Sequence, residues 1–330
     1  MNRRTTALLA VLVAAALTVL SACSSDDDAE GGSSDTSGPT SDPPSSAPST
    51  TTTTGPPCPA DPPTGDVERT LDVGGEQRTY RVHVPAGLTG RVPLVVTVHG
   101  LGSGAAQQLV YSGFPELADR EGFVVAAPQA RGNPAMWNFQ APADEPTSDG
   151  AFLTAMGEDI AATWCIDPQR RFASGISNGS AVTFALACAG DLGYAAYGGV
   201  AGAFYADPCA DAPPAPIIYF HGTADPLVPI EGGAAVRSSV KPALDTMEAW
   251  AEHDGCSGVV DTEQISEHVV RRRWGSCSGD AAIEYYEIDG GGHTWPGADV
   301  DVERFGETNR EISATELMWE FFERHPATDS

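Results

Sequence analysis

The chain has 330 residues and a net charge of −27, with Lys241 as its single lysine. Such acidity argues against nucleic acid or an anionic surface as partner, and it fits solubility outside a cell. No repeat and no internal charge block divides the chain, so one core of ordinary α/β size is expected.

At the start, Arg3 and Arg4 precede an apolar run over 8–20 that is too short to span a bilayer comfortably. Leu20-Ser21-Ala22-Cys23 then resembles a bacterial lipobox. The pattern predicts a lipoprotein signal over 1–22 and lipidation at Cys23; a plain signal cut near Ala22 is the alternative. Residues 24–57 are Ser, Thr, Asp, Pro and Gly, too poor in apolar groups to offset their ordering entropy, so 23–57 reads as a lipidated, disordered tether. The catalytic domain is expected over 58–326, with a short tail over 327–330.

Setting Cys23 aside leaves Cys58, Cys165, Cys188, Cys209, Cys256 and Cys277. An even count in an exported chain reads as disulfides. Two short excursions suggest Cys188–Cys209 and Cys256–Cys277, which leaves Cys58–Cys165 by elimination. No C-x-x-C occurs and no histidines cluster near the cysteines, so no metal site is expected.

Residues 68–73 and 78–84, separated by Gly74-Gly75, predict a hairpin. Apolar runs over 93–99 and 123–127 predict strands buried on both faces. Helical spacing covers 150–165, where Phe152, Leu153, Met156, Ile160 and Trp164 share a side. Strands follow over 172–176, 197–202, 217–220 and 283–288, and helices over 180–189, 242–254 and 312–324. Alternating strands and helices imply a mainly parallel sheet with helices on both faces. Ligands then sit beyond the carboxyl ends of the strands.

Gly175-Ile176-Ser177-Asn178-Gly179 matches G-x-S-x-G. In a glycine-rich chain the match alone is weak, and an ordinary turn serine is the bland reading. Here it joins a predicted strand to a predicted helix, the context in which such a turn exposes a serine hydroxyl. The serine needs a base. His83 and His268 lie in strand-like runs, His253 and His325 near helix ends, and His99 and His221 end buried strands where they would organise loops. His293, in Gly290-Gly291-Gly292-His293-Thr294-Trp295-Pro296, follows the last strand and is the expected base. Asp225, in His221-Gly222-Thr223-Ala224-Asp225, follows a buried strand and is the expected acid; Asp207, Asp211 and Asp245 are rivals that do not. Oxyanion donors are expected from the N–H groups of Asn178 and Leu101. The sequon Asn178-Gly179-Ser180 sits in a crowded functional turn and is set aside.

PLVVTVHG, AAPQA followed by Trp137, Ser148-Asp149-Gly150-Ala151-Phe152, CIDPQRRFASGISNG, HGTADPLVP and GGGHTWPG occur in order. Together they resemble the secreted polyhydroxybutyrate depolymerase and feruloyl esterase-like group of the α/β-hydrolase fold, from about residue 70 to 325. The resemblance implies that fold, an ester hydrolase, and Ser177, Asp225 and His293 as nucleophile, acid and base. Ser180 stands where such proteins often carry a second glycine, and Leu101 where they often carry cysteine.

Trp137 and Trp295 are candidates to line the ester pocket, with core packing as the competing role. The acidic loop of Asp299, Asp301 and Glu303 lacks EF-hand spacing and reads as solvated. The expectation is a monomeric, surface-tethered serine carboxylesterase that needs no cofactor and acts on a small or polymeric ester. Acyl transfer to an envelope glycolipid by the same triad, and a non-catalytic binding lipoprotein on this fold, are the alternatives.

Overall fold

The computed structural model describes residues 58–138, 147–190, 192–202, 209–235 and 239–328. The expected signal, Cys23, the tether and the rival acid Asp207 lie outside the described residues.

β1 (Gly65–Val73) and β2 (Glu76–Val84) form the expected hairpin, with Gly74 and Gly75 both at positive φ in its turn. β3 (Val92–Val98) and β4 (Val124–Pro128) are buried along their whole lengths, which is why each reads as an unbroken apolar run. Next come β5 (Ile166–Ile176), β6 (Ala196–Val200) and β7 (Ile217–Gly222). β8 (Gly233–Ala234) and β9 (Ser239–Val240) form a separate two-stranded pair among the described residues. β10 (Asp261–Ser266), β11 (Val269–Trp274) and β12 (Ile283–Ile288) complete the set.

The main sheet runs β1-β2-β4-β3-β5-β6-β7-β12-β11-β10. Its centre, β4 through β12, is parallel, and an antiparallel hairpin closes each side. Successive side chains point to opposite faces, so β3 serves two cores. Leu94, Val96 and Val98 pack with Phe152, Met156 and Ile160 of α3 (Asp149–Thr163), Phe184 of α4 (Asn178–Ala189) and Trp250 of α5 (Ala243–His253). Val95 packs with Leu109 of α1 (Ala105–Ser112), Phe114 and Leu117 of α2 (Phe114–Glu121), and Trp319 and Phe322 of α6 (Ala314–Arg324). Two helices start on serine caps: Ser148 Oγ accepts from Ala151 N–H at 3.0 Å, and Ser313 Oγ from Glu316 N–H at 3.3 Å.

The structure joins Cys58 to Cys165, Cys188 to Cys209 and Cys256 to Cys277. The first bridge pins the arm at the domain's start. Trp164 adds to it by donating its indole N–H to Pro63 O at 2.8 Å. Arg69 ties β1 to α3 through two bonds to Asp159, of 2.6 and 2.7 Å. Together with the Tyr80 hydroxyl they hold that carboxyl below its usual range, against the upward push of burial.

Several elements differ from expectation. α1 and α2 were not predicted; each is only 8 residues long, and Gly113 at φ 67 separates them. β10 and β11 were missed because they lie at the sheet edge with charged, half-exposed side chains, including Arg271, Arg272 and Arg273. His268 therefore sits in their connecting turn, not in a strand. β5 begins at Ile166, ahead of the expected 172. Near the end of the described residues, Ala327 N–H donates to Gln169 O at 2.8 Å and Thr328 Oγ1 to Asp280 at 2.8 Å.

Ser180 brings an unpaired hydroxyl into α4. Its Oγ is buried with no hydrogen-bond partner among the described residues, and a Cβ on Gly199 would stand 2.6 Å from it. Leaving such a hydroxyl unsatisfied costs about 1–3 kcal/mol, and alanine is the better helix former. Ser180→Ala should therefore raise stability by about 1 kcal/mol, read as a higher urea midpoint at unchanged slope. A lowered midpoint would show that the hydroxyl has a partner.

Candidate active site

The turn between β5 and α4 is built by close approach. Ser177 has φ 57 and ψ −119, a backbone region that L-residues rarely occupy. A Cβ on Gly179 would stand 2.1 Å from Val98 O, and one on Gly175 2.5 Å from Gly179 O. Only glycine at both positions lets α4 start against the end of β3. Ser177 is the N-cap residue of α4, yet its side chain makes no capping hydrogen bond. An ordinary cap serine would use its oxygen for that bond; here the half-buried hydroxyl is left for other chemistry.

His293 and Asp225 come from loops after the adjacent parallel strands β12 and β7. Those loops are stitched together: Thr223 N–H donates to Ile288 O and Ala224 N–H to Gly291 O, both at 2.9 Å. A Cβ on Gly222 would stand 2.1 Å from Gly291 O, so the run of glycines before His293 serves close packing as well as reach. His293 Nδ1–H donates to Asp225 Oδ2 at 2.7 Å. The other carboxylate oxygen accepts the Leu227 and Val228 N–H groups, each at 2.8 Å. Burial pushes the Asp225 carboxyl up, but contacts from His221 and His293 and the Val228 N–H outweigh it and hold the group well below the usual carboxylate range. With Nδ1 committed as donor, Nε2 of His293 is the ring's basic nitrogen.

The two histidines that end buried strands, His99 and His221, both bond loop backbone. His99 donates from Nδ1 to Gly100 O at 2.8 Å and accepts the Ala130 N–H on Nε2 at 3.0 Å. It is fully buried, and burial pushes its pKa down, so it stays neutral and braces the loop as expected. His221 Nε2–H donates to Val228 O at 2.8 Å and passes Asp225 Oδ2 at a longer 3.4 Å. Its Nδ1 accepts from the Tyr219 hydroxyl at 2.5 Å. The sequence reading missed that Asp225 is flanked by two imidazoles; the i, i+4 spacing of His221 and Asp225 was the available signal. Asp211 and Asp245 are exposed, and Asp301 of the acidic loop pairs with Arg310 at 2.8 Å.

Leu101 and Asn178 lie on the two segments that meet at Ser177: a Cβ on Gly100 would stand 3.3 Å from the Ser177 Cβ. Neither the Leu101 nor the Asn178 N–H has a backbone acceptor among the described residues. Both candidate tryptophans are buried. Trp295 is fully buried, its ring edge-on to Phe114 and its N–H on Thr315 Oγ1 at 2.9 Å. Trp137 is buried too and donates its indole N–H to His99 O at 2.9 Å. Of the two roles weighed for these rings, the structure favours packing, because each satisfies its N–H inside the core. The Asn178 side chain, unremarked in the sequence, bonds the main chain of Trp137 in both directions, at 2.8 and 3.3 Å.

A family model described as Esterase PHB depolymerase matches residues 78–281, more than half of the chain. The matched segment contains Ser177 and Asp225 and ends before His293. "Putative esterase NocK" of Nocardia uniformis subsp. tsuyamanensis is 27% identical, the match covering 77% of this chain and 81% of that protein. Feruloyl esterase B of Piromyces equi is 27% identical over 66% of this chain but only 42% of its own length. An acetyl xylan esterase structure from Aspergillus awamori superposes with TM-score 0.56 at 15% identity, covering 78% of this chain and 99% of that one. At that identity the likeness is one of fold, and the fold is that of the α/β-hydrolases.

Proposed function

We propose, on the premise that the chain belongs to the Esterase PHB depolymerase family, that it hydrolyses carboxylic esters with Ser177 as nucleophile, His293 as base and Asp225 as acid. The observation that carries this reading is the 2.7 Å bond from His293 Nδ1 to Asp225. It is made beyond the carboxyl ends of two adjacent parallel strands, while a strained, non-capping serine stands on the turn after β5 in the same parallel sheet.

Ser177 Oγ attacks the ester carbonyl carbon as His293 Nε2 takes its proton. The carbonyl oxygen becomes an oxyanion that accepts the Leu101 and Asn178 N–H groups, aided by the amino end of α4. Collapse breaks the ester C–O bond, and His293 returns the proton to the leaving alcohol. Water, deprotonated by the same imidazole, then attacks the acyl-enzyme. A second collapse frees the carboxylic acid and regenerates Ser177. Asp225 holds the His293 tautomer and stabilises the imidazolium at each transfer.

Fluorophosphonate labelling of the soluble domain, with the modified peptide mapped by mass spectrometry, tests this directly. The expected label is on Ser177. A label on another residue, or none on protein shown to be folded, overturns the assignment. A panel of acetyl, feruloyl and 3-hydroxybutyryl esters then ranks the acyl group. The relatives' names divide between feruloyl, acetylxylan and poly(3-hydroxyalkanoate) substrates.

The same reading places the enzyme outside the cell, held to the membrane by lipid on Cys23 through the 23–57 tether. Its support is the leader pattern and three disulfides, which form in oxidising compartments. Expressed with an alkyne fatty acid, the native chain should take up label and the Cys23→Ser chain should not. An unlabelled native chain ends the lipoprotein reading.

A further inference from the structure

Trp137 is 1% exposed and belongs to a segment that reaches both flanks of Leu101 and the side chain of Asn178. Upstream of Leu101, its indole Nε1–H donates to His99 O at 2.9 Å, and its ring lies 5.2 Å from the His99 imidazole. Downstream, Gly102 N–H donates to Ala135 O, two residues before Trp137, at 2.7 Å. Across the site, Trp137 N–H donates to Asn178 Oδ1 at 2.8 Å, and Asn178 Nδ2–H to Trp137 O at 3.3 Å. The segment is itself anchored, because Asn138 N–H donates to Asp149 Oδ2 at 2.6 Å. The other oxygen of Asp149 accepts Arg78 Nη2–H at 2.7 Å, and both of these side chains are buried.

We propose that Trp137 is a positioning residue, a bracket that holds the Leu101 and Asn178 N–H groups at the spacing a single oxyanion requires. This rests on the site reading proposed above. Leu101 and Asn178 are 77 positions apart in the chain and lie on separate elements. The ends of β3 and α4 pack together, but packing alone does not fix an N–H vector to the fraction of an ångström that catalysis needs. Hydrogen bonds from one rigid, buried aromatic residue to both sides do. A bracket of this kind acts on the transition state, where the oxyanion exists, and hardly at all on the bound ester. Acylation and deacylation both pass through an oxyanion, so loosening it slows both steps together and leaves KM in place.

The test compares three proteins with 4-nitrophenyl acetate: the parent, Trp137→Phe and Trp164→Phe. Active sites are counted with the fluorophosphonate probe, and a trifluoromethyl ketone serves as a transition-state analogue. Trp137→Phe keeps an aromatic ring and loses the N–H donated to His99 O. Its kcat per labelled site should fall about 10- to 100-fold, below the loss for deleting a donor outright, with KM within about twofold. Ketone affinity should weaken in parallel with kcat/KM. Trp164→Phe loses an equivalent buried indole bond, to Pro63 O at 2.8 Å, and should lower the melting temperature without changing kcat per site.

An unchanged kcat in Trp137→Phe, a change confined to KM, or an equal fall in Trp164→Phe overturns the proposal. Should Trp137→Phe fail to fold, Asn178→Ala carries the test. It keeps the Asn178 backbone donor and removes the side-chain bonds to Trp137, so kcat should again fall at constant KM, and an unchanged kcat again overturns the bracket. Labelling separates the two levels of inference. If the parent is not labelled on Ser177, the site reading and the bracket fall together. If it is labelled and Trp137→Phe turns over like the parent, only the bracket falls.

Discussion

Ser177→Ala will abolish ester turnover while leaving the fold intact. Removing the nucleophile of a serine triad costs on the order of 10⁴-fold or more, since what survives is only binding and oxyanion stabilisation acting on water. The substitution should be structurally mild. The Ser177 hydroxyl caps nothing, and the strain at φ 57 belongs to a backbone shape that alanine must adopt as serine does. The flanking close approaches are made by Gly175 and Gly179, which are untouched. Turnover of 4-nitrophenyl acetate, with circular dichroism and a melting curve as folding controls, decides the matter. Residual turnover above about one hundredth of the parent's, on folded protein, would make another residue the nucleophile.

Asp225→Asn should lower kcat by about 10³- to 10⁴-fold with little change in KM. The native carboxylate accepts on every side: two backbone N–H groups on Oδ1, and His293 on Oδ2 with His221 Nε2–H close by. An asparagine has one acceptor. If its oxygen keeps the Leu227 and Val228 N–H groups, its amide turns N–H toward His293 Nδ1. That forces the tautomer protonated on Nε2, which cannot take the serine proton. The pH profile separates the two residues' roles. The native enzyme should lose activity on the acid side, because the base must be neutral to take the Ser177 proton. Asp225, held far below the usual carboxylate range, stays ionised throughout that loss. The sign is that of a depressed acid: its contribution to stability is complete above its unfolded pKa of about 3.9 and is lost only as pH falls through the lower folded value. A parent profile flat down to about pH 4 would argue against a histidine base, and an Asn variant with near-parental kcat would remove Asp225 from the mechanism.

Much of the site was legible because its signals are local. G-x-S-x-G between a strand and a helix marks a turn whose glycines are required by approaches of 2.1 and 2.5 Å, and both residues lie within two positions of Ser177. The buried parallel strands announced themselves as apolar runs because burial on two faces leaves no polar position. β10 and β11 gave no such signal: an edge hairpin whose arginines pair with acids across the strands looks like loop in a linear reading. The short helices α1 and α2 hid for a related reason, since neither is long enough to show a period.

By itself the sequence determined where the backbone must turn and which residues are candidates for the chemistry, because residue type and near-neighbour spacing control φ, burial and capping directly. Only the tertiary structure decided what each group touches. For Trp137 and Trp295 the sequence left pocket lining and core packing open, and in the structure their N–H groups turn onto His99 and Thr315. Nor could the Asn178 amide be known to grip Trp137, 41 positions away. Such contacts depend on how strands and helices distant in the chain come to lie side by side. That is settled by the close packing of two cores against one sheet, which no local pattern encodes.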